Sequence, residues 1–310
     1  MDIAPRPYHT ERDLEAMRSI LVAGKKAGGA TYYVHKGDLN WWLFYGVPDQ
    51  DRRETITLWI DRDQADQVVG WSLMSPDLHA FDLFVHPALL AGRQVEYMLG
   101  WTEERLRQML GGHEGGAIST MWVGQGDRPR IALLRDRGFE RDDHLYHAMS
   151  LDLTGHLAAP VLPKGYEIRP VAGIEEGRER AAASHAAFAV TRSRQEHGQA
   201  YIQFMQSCIY PADFDLVIMA PNGQCAAFCI GWLDAESQIG LFEPVGTRPT
   251  FRRMGLAKAL LQAGLRQMKK AGMATATVCV EGDNRAAQRL YEAVGFQLDR
   301  QLYSFAKEKK

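Results

Sequence analysis

One stretch of the sequence combines basic residues with the predicted start of a long helix. An apolar strand pattern ends near Thr247, Arg-Pro turns the chain, and helical spacing of apolar residues then continues to about Ala271. A helix start points unpaired backbone N–H groups and the positive end of the helix dipole at one spot, which attracts an anion. The sequence therefore predicts a pyrophosphate-binding turn formed by Arg252, Arg253, Met254, Gly255, Leu256 and Ala257.

The residues of this turn are expected to act in different ways. The backbone amides of Arg253, Gly255 and Ala257 would hold the pyrophosphate, and the two arginine side chains would add positive charge. Met254 and Leu256 would contribute through their N–H groups more than through their side chains. The alternative interpretation is an ordinary helix N-terminus with solvated arginines.

The composition sets the broad class of protein. A chain of 310 residues, 46% hydrophobic and 24% charged, is long enough for two globular domains with separate cores. The net charge of −2 gives no electrostatic reason to expect nucleic acid or an anionic membrane as a partner. The N-terminus has no apolar signal segment, and no apolar run approaches the roughly 18 residues of a membrane span, so we expect a cytoplasmic protein.

Four cysteines occur in apolar, strand-like or helical surroundings: Cys208, Cys225, Cys229 and Cys279. A metal site would need histidine or cysteine partners at ligand spacing, and the sequence contains no such pair. We therefore predict no metal.

The two halves of the sequence repeat one order of predicted elements. The pattern G-F-x-x-x-x-x-L-Y at 138–146 occurs again at 295–303, and each copy follows a predicted strand and a short helix. Between the halves, residues 154–165 are rich in glycine and proline and show little periodicity. We predict two α+β domains, residues 1–153 and 166–310, joined by this linker.

Two motifs at a fixed separation characterise the second half: R-R-M-G-L-A at 252–257 and N-x-x-A-x-x-L-Y-x-x-x-G-F at 284–296. On these motifs the segment 166–310 resembles the GNAT superfamily of acyl-CoA-dependent N-acyltransferases, whose pattern is Arg/Gln-x-x-Gly-x-Gly/Ala. The tandem layout is similar to that of mycothiol synthase and related two-domain bacterial acetyltransferases. The resemblance implies two GNAT-like domains, each a mixed, mostly antiparallel sheet flanked by helices. We also expect a final strand pair over 296–305.

The resemblance also implies a donor and an acid. Acetyl-CoA would be the acyl donor, with its pantetheine arm bonded to the backbone of Val245 and Thr247. Asn284 would contact this arm and also cap the helix that follows it. Tyr291 would lie beside the thioester sulfur and protonate the departing thiolate. The alternative for Tyr291 is a core tyrosine that only packs.

A general base is needed as well, because an amine with a pKa of about 10 is mostly protonated at neutral pH, at a cost of roughly 4 kcal/mol. Glu243 is the candidate, since it lies in an otherwise apolar strand where bases of the resembled family often occur. Strand alternation puts it on the same face as Val245 and Thr247. Pro244 removes a ladder donor, which is consistent with strands that separate here. The alternative is a strand-end glutamate that reaches water.

The first half departs from both motifs. After His86-Pro87 no Arg-x-x-Gly-x-Ala follows, and Leu134 stands where the second half has Tyr291. Without the glycine the backbone cannot approach a pyrophosphate closely, and a leucine has no proton to donate. We expect a degenerate domain that packs against the active one and could wall its substrate cleft. The aromatic run 41–45 is interpreted as core or as the contact between the domains, with a pocket lining as the alternative.

These inferences predict an N-acetyltransferase that moves an acetyl group from acetyl-CoA to a primary amine by direct attack on the thioester, in the C-terminal domain. A non-catalytic acyl-CoA-binding sensor is the alternative, and a structural protein with two decayed domains is a further one. The acceptor stays open among small amines, aminoglycosides, a cysteinyl pseudo-disaccharide of the mycothiol kind and peptide N-termini.

Overall fold

The computed structural model describes residues 1–27, 34–46, 52–90, 92–111 and 116–308. Its α-helices, in chain order from α1 to α9, are Glu11–Ala27, Lys36–Trp41, Arg52–Thr55, Arg93–Met109, Arg128–Asp136, Gly173–Phe188, Arg194–Met205, Leu256–Lys270 and Arg285–Val294. A π-helical segment, Trp42–Gly46, continues α2. The strands β1 to β12 are Ile3–Pro7, Ile56–Asp61, Gln67–Ser75, Ala80–Val85, Ile118–Gly124, Glu140–Asp152, Glu167–Pro170, Asp215–Met219, Cys225–Asp234, Ile239–Thr247, Thr275–Glu281 and Gln297–Lys307. Among the described helices, none is long and apolar enough to cross a membrane.

The described strands form one twelve-stranded sheet in the order β1-β2-β3-β4-β5-β12-β6-β11-β10-β9-β8-β7. The last strand of each half pairs with strands of the other half. Strand β12 pairs with β5 and β6, and β6 pairs with β11 as well as with β12. The prediction of a strand pair over 296–305 is therefore wrong. This segment is one strand with two register shifts against β6, and its partners come from the first half. Sequence alternation marks a strand, but the open edge that the strand joins depends on the assembled sheet.

The sheet is mixed, with parallel pairing only for β4 with β5 and for β10 with β11 among the described strand pairs. This agrees with the predicted mostly antiparallel α+β class. Residues 153–166 carry neither helix nor strand and contain the predicted linker at 154–165. The domain limits at 1–153 and 166–310 stay a prediction, since the sheet runs continuously through both halves.

Helix α8 is fixed against the sheet by its apolar face. Leu256, Leu260 and Met268 are buried and pack in one cluster with Phe242 of β10. Burying a leucine side chain contributes about 1.5–3 kcal/mol, so several such contacts hold the helix firmly. The position of the α8 N-terminus relative to β10 is consequently set by the core.

The aromatic run at 41–45 joins the two halves. Trp41 stacks on Tyr45 with ring centroids 4.2 Å apart and meets the edge of Phe204 of α7 at 5.3 Å. The Tyr45 hydroxyl lies 2.9 Å from a ring nitrogen of His197, also on α7. The run thus contributes to the contact between halves, while Leu43 is fully buried in the core of the first half and Trp42 lines a cavity.

Candidate active site

The parallel strands β10 and β11 pair only over a short stretch. Ile239–Leu241 pairs with Thr275–Thr277, after which β10 follows β9 while β11 follows β6. The strands therefore separate beyond Leu241, as the position of Pro244 suggested. Strand ends that part in this way leave backbone groups accessible between them.

A cleft of about 730 Å³ lies where these strands separate and α8 begins. Nine of the residues predicted from the sequence line it: Val245, Thr247, Arg252, Arg253, Gly255, Leu256, Ala257, Asn284 and Tyr291. Among the described residues that line the cleft, two predicted ones are missing: Met254 and Glu243. Met254 is 41% exposed, with its sulfur 3.9 Å from the Tyr166 hydroxyl.

The turn before α8 has unusual backbone geometry. Arg253 has a φ of 64° and Gly255, the N-cap, has a φ of 76°, both in the left-handed region that favours glycine. A Cβ atom built on Gly255 would meet no heavy atom within 4 Å, so the space in front of the helix start is open. Because a glycine N-cap has no side chain to accept a bond, the first N–H groups of α8 remain available to an anion.

The side chains of the turn behave differently from one another. Arg252 donates hydrogen bonds to the carbonyls of Thr247 (3.4 Å) and Ala187 (3.2 Å), so it ties the turn to the ends of β10 and α6. Leu256 is 1% exposed and belongs to the core, which leaves only its N–H group for binding. Asn284 caps α9 by accepting a bond from the N–H of Ala287 at 3.1 Å while it also lines the cleft.

Tyr291 lies on α9 and faces the same cleft. Its side chain is 7% exposed, and its ring meets Phe296 edge-on at 5.8 Å. Burial raises the pKa of Tyr291 above its ordinary value, and the nearby carboxyl of Glu243 raises it further. Among the described residues, no side chain or carbonyl forms a hydrogen bond with its hydroxyl. The phenol is therefore protonated and free to donate.

Glu243 lies at an irregularity of β10. The pairing with β9 shifts between Phe242 and Val245, both of which pack in the cluster under α8. Two residues thus separate positions that face the same way, so regular alternation does not hold across this stretch, and the prediction that Glu243 shares a face with Val245 and Thr247 stays a prediction. Its carbonyl accepts a bond of 2.7 Å from the indole N–H of Trp232, and burial raises the pKa of its carboxyl to about 8, with a smaller contribution from Asp38.

Asp38 was not singled out in the sequence. It lies on α2, where its carboxylate accepts a bond of 2.8 Å from the N–H of His35, and burial raises its pKa to about 7. Helix α2 packs on β9 and β10: a Cβ on Gly37 would lie 2.3 Å from the Cβ of Trp232, and a ring nitrogen of His35 lies 3.1 Å from the carbonyl of Ile239. The run H-K-G-D at 35–38 carries the local signal of a capping box at a helix start. No local pattern indicated that this helix packs against β10.

Two further groups share this electrostatic environment. Burial lowers the pKa of Lys25 of α1 to about 8, with the negative charge of Asp38 opposing the shift. The thiol of Cys279 on β11 has a pKa raised by burial and by the carboxyls of Asp38 and Glu243. Such a thiol stays protonated, so Cys279 is a poor nucleophile despite its position.

The equivalent region of the first half is closed. The cavity beside β4 and α5 has a volume of about 30 Å³ and is lined in part by the buried Leu134. At the start of α4, a Cβ on Gly92 would lie 2.6 Å from Oε1 of Gln94, so a side chain fills the space that is open beside Gly255.

Known proteins with similar sequences place this geometry in context. The model of the acetyltransferase (GNAT) family matches residues 180–296. The mycothiol acetyltransferase of Kineococcus radiotolerans is 31% identical over 223 residues, which cover 69% of this chain and 68% of the relative. The mycothiol acetyltransferase of Thermobispora bispora is 29% identical over 303 residues and covers 93% of both chains.

Solved structures agree on the fold. A GCN5-related N-acetyltransferase from Sphaerobacter thermophilus has a TM-score of 0.68 at 18% identity, covering 99% of this chain and 95% of the other. A tandem GNAT protein from the clavulanic acid biosynthesis pathway has a TM-score of 0.69 at 14% identity, covering 99% and 98%. The fold and cleft thus define an acetyltransferase enzyme built from two tandem units. The chain belongs to the GNAT acetyltransferase family, and the fold class expected from the sequence is confirmed.

Proposed function

We propose that the chain transfers an acetyl group from acetyl-CoA to a small-molecule primary amine in the cleft between β10, α8 and α9. The observation that carries this proposal is Tyr291, a buried phenol without a hydrogen-bond partner among the described residues, facing the same cleft as the uncapped start of α8. A site of this kind joins an anion-binding helix end to a proton donor.

The residues present suit acetyl-CoA as the donor. The N–H groups at Arg253, Gly255 and Ala257 would bind its pyrophosphate, and the open space beside Gly255 supports a close approach. The backbone of Val245 and Thr247, on the separated part of β10, would bind the pantetheine arm. The thioester supplies the acetyl group when the donor is bound.

Two residues would move protons. Glu243, directly or through a water molecule, would take the proton that the amine loses, and with a pKa of about 8 its carboxyl is in the basic form mainly above that pH. Tyr291 would give its proton to the sulfur that leaves. The negative charge of Glu243 contributes to the raised pKa of Tyr291. When Glu243 takes a proton from the amine, this charge is lost and the pKa of Tyr291 falls. Tyr291 then becomes a stronger acid at the step in which the thiolate leaves.

For the acceptor, we propose an amine of the cysteinyl pseudo-disaccharide kind, as the names of the relatives suggest. The first half would wall the acceptor side, since Lys25 and Asp38 share the electrostatic environment of Glu243 and Cys279. The segment 166–310 would then carry the chemistry, and the segment 1–153 would contribute to recognition without binding acetyl-CoA itself.

The test is release of free CoA from acetyl-CoA by the full chain, with a panel of amines that includes cysteinyl sugars, aminoglycosides and peptides. We expect acetylation of the cysteinyl amine, verified by mass spectrometry of the product. Tight binding of acetyl-CoA with no CoA release for any amine would contradict the proposal and favour the acyl-CoA sensor. Turnover of an aminoglycoside or peptide alone would keep the chemistry and overturn the acceptor.

A further inference from the structure

A second large cleft opens in the first half of the chain. It has a volume of about 760 Å³ and, among the described residues, shares no lining residue with the cleft at α8. Its walls come from β3, β4, β5, the π-helical segment, α3, the end of α4, the turn between β3 and β4, and the turn between α6 and α7 of the second half. We call it the Trp42–Trp122 cleft after two residues that line it.

Aromatic rings form one wall of this cleft. The indoles of Trp42 and Trp122 stack with centroids 5.7 Å apart at 25°, and Trp122 contacts Tyr146 at 5.0 Å. Both indoles are half-buried, so part of their surface faces the cavity. Trp122 has a φ of 61°, a region that a bulky residue rarely adopts, and its ring is held by contacts with both Trp42 and Tyr146. Fixed ring faces in a cavity favour flat apolar groups and cations.

The charges around the cleft are mainly negative. Asp82 is 5% exposed, and its Oδ1 accepts bonds from the N–H of Met121 (3.0 Å) and from Oγ1 of Thr120 (3.4 Å). Burial raises the pKa of Asp82 to about 7, so its carboxyl is charged mainly above neutral pH, and the negative charge at neutral pH comes mostly from two exposed carboxylates. Glu54 and Asp77 are exposed at the cleft, and within the described residues neither has an ion-pair partner.

Basic side chains offset these carboxyls only in part. Arg192 is the single basic residue among the described lining residues. A further cation, Arg130, donates to Oγ1 of Thr120 at 3.3 Å, and its charge opposes the rise in the pKa of Asp82. The open side of the cleft is therefore anionic.

We propose that the Trp42–Trp122 cleft binds an organic cation with a flat apolar body. The body lies against the two indoles, and the positive nitrogen lies near the carboxyls of Asp82, Asp77 and Glu54. Most binding cavities combine an apolar wall with a few convergent polar groups in this way. This site is separate from the acetyl-transfer cleft, because a large cavity in the first half provides it and α8 takes no part.

The probe for this test is benzyltrimethylammonium, which has a flat ring and a permanent charge. Its quaternary nitrogen cannot accept an acetyl group, so binding is measured independently of the proposed activity. Isothermal titration calorimetry on the full chain compares it with the anion phenylmethanesulfonate. We expect 1:1 binding of the cation, weakened roughly tenfold by Trp122→Leu and by about two- to fivefold by the exposed Asp77→Asn.

Three controls make the outcome decisive. Trp42→Leu repeats the aromatic test at a second position, in case Trp122→Leu fails to fold. Equal binding of cation and anion, or unchanged binding in both Trp42→Leu and Asp77→Asn, would overturn the proposal. Loss of binding in Glu243→Gln would also overturn it, because the probe would then occupy the acetyl-transfer cleft.

Discussion

Replacing Tyr291 with phenylalanine removes one oxygen atom from the centre of the proposed site. The hydroxyl has no hydrogen-bond partner among the described residues, while the ring keeps its contact with Phe296. Deleting an unpaired polar group leaves no orphaned partner behind, so stability should change by less than about 1 kcal/mol. The variant therefore separates chemistry from folding.

The expected loss of activity follows from the role of a general acid. Losing a positioned proton donor lowers turnover by about 10²–10⁴, which corresponds to roughly 3–5.5 kcal/mol in the activation free energy. Binding of acetyl-CoA should change little, since the residues placed against its pyrophosphate lie at the start of α8. The effect should thus appear in kcat.

The assay measures CoA release under saturating acetyl-CoA, with donor affinity followed separately by thermal shift. Tyr303→Phe is the matched control, because that hydroxyl contacts Gln301 at 3.3 Å on β12 and does not line the cleft among the described residues. We expect near-normal turnover for the control. Turnover of Tyr291→Phe equal to that of the control would remove Tyr291 from the mechanism.

Four further variants test other parts of the site and fold. In Glu243→Gln, kcat/KM should fall by about 10²–10⁴ and lose the rise with pH that a base with a pKa of about 8 produces; an unchanged pH profile would exclude it as the base. The raised pKa of this carboxyl should also appear in the stability. The unfolded chain loses the proton near the ordinary value of 4.5, while the native state holds it up to about pH 8, so the free energy of unfolding declines as pH rises between these two values. The decline should be smaller in Glu243→Gln. Asp38→Asn should move the inflection in kcat/KM to lower pH, because a negative charge that raises the pKa of Glu243 is lost; a shift upward would contradict this coupling. Gly255→Val should weaken acetyl-CoA binding by about tenfold or more, since valine is strained at a φ of 76° and its side chain enters the open space. Thermal shift with acetyl-CoA measures the affinity. Normal affinity would refute pyrophosphate binding at this turn. Leu260→Ala should lower the free energy of unfolding by about 2–5 kcal/mol in urea, because its side chain is fully buried under the sheet; a loss under about 1 kcal/mol would mean that α8 is not held by this core.

The turn before α8 and the start of α9 were largely predictable from local sequence. The pattern around Gly255 indicated a turn with a glycine at the helix start, and the structure shows this glycine in a left-handed conformation. Asn284 at a helix start and Tyr291 two turns later form part of one short helix, so their spacing fixed their relative positions. Short-range patterns of this kind depend on backbone geometry within one or two elements.

The environment of Glu243 was less predictable. Strand alternation assumed a regular β10, but the register shift between Phe242 and Val245 changed the face on which residues lie. The approach of Asp38 joins residues that are far apart in the sequence, and no local pattern records such a contact. The partner of a buried carboxyl is decided by packing between elements.

The sequence by itself determined most of the elements and the turn before α8, because each depends on residue types at short spacing. Only the tertiary structure decided that β6 and β12 exchange sheets between the halves, since strand partners depend on which edges are open in the assembled sheet. This exchange, with α2 packed on β10, brings the first half beside Glu243. The described strands thus form one continuous sheet, in which the cleft at the start of α8 is open and the small cavity beside β4 and α5 in the first half is closed.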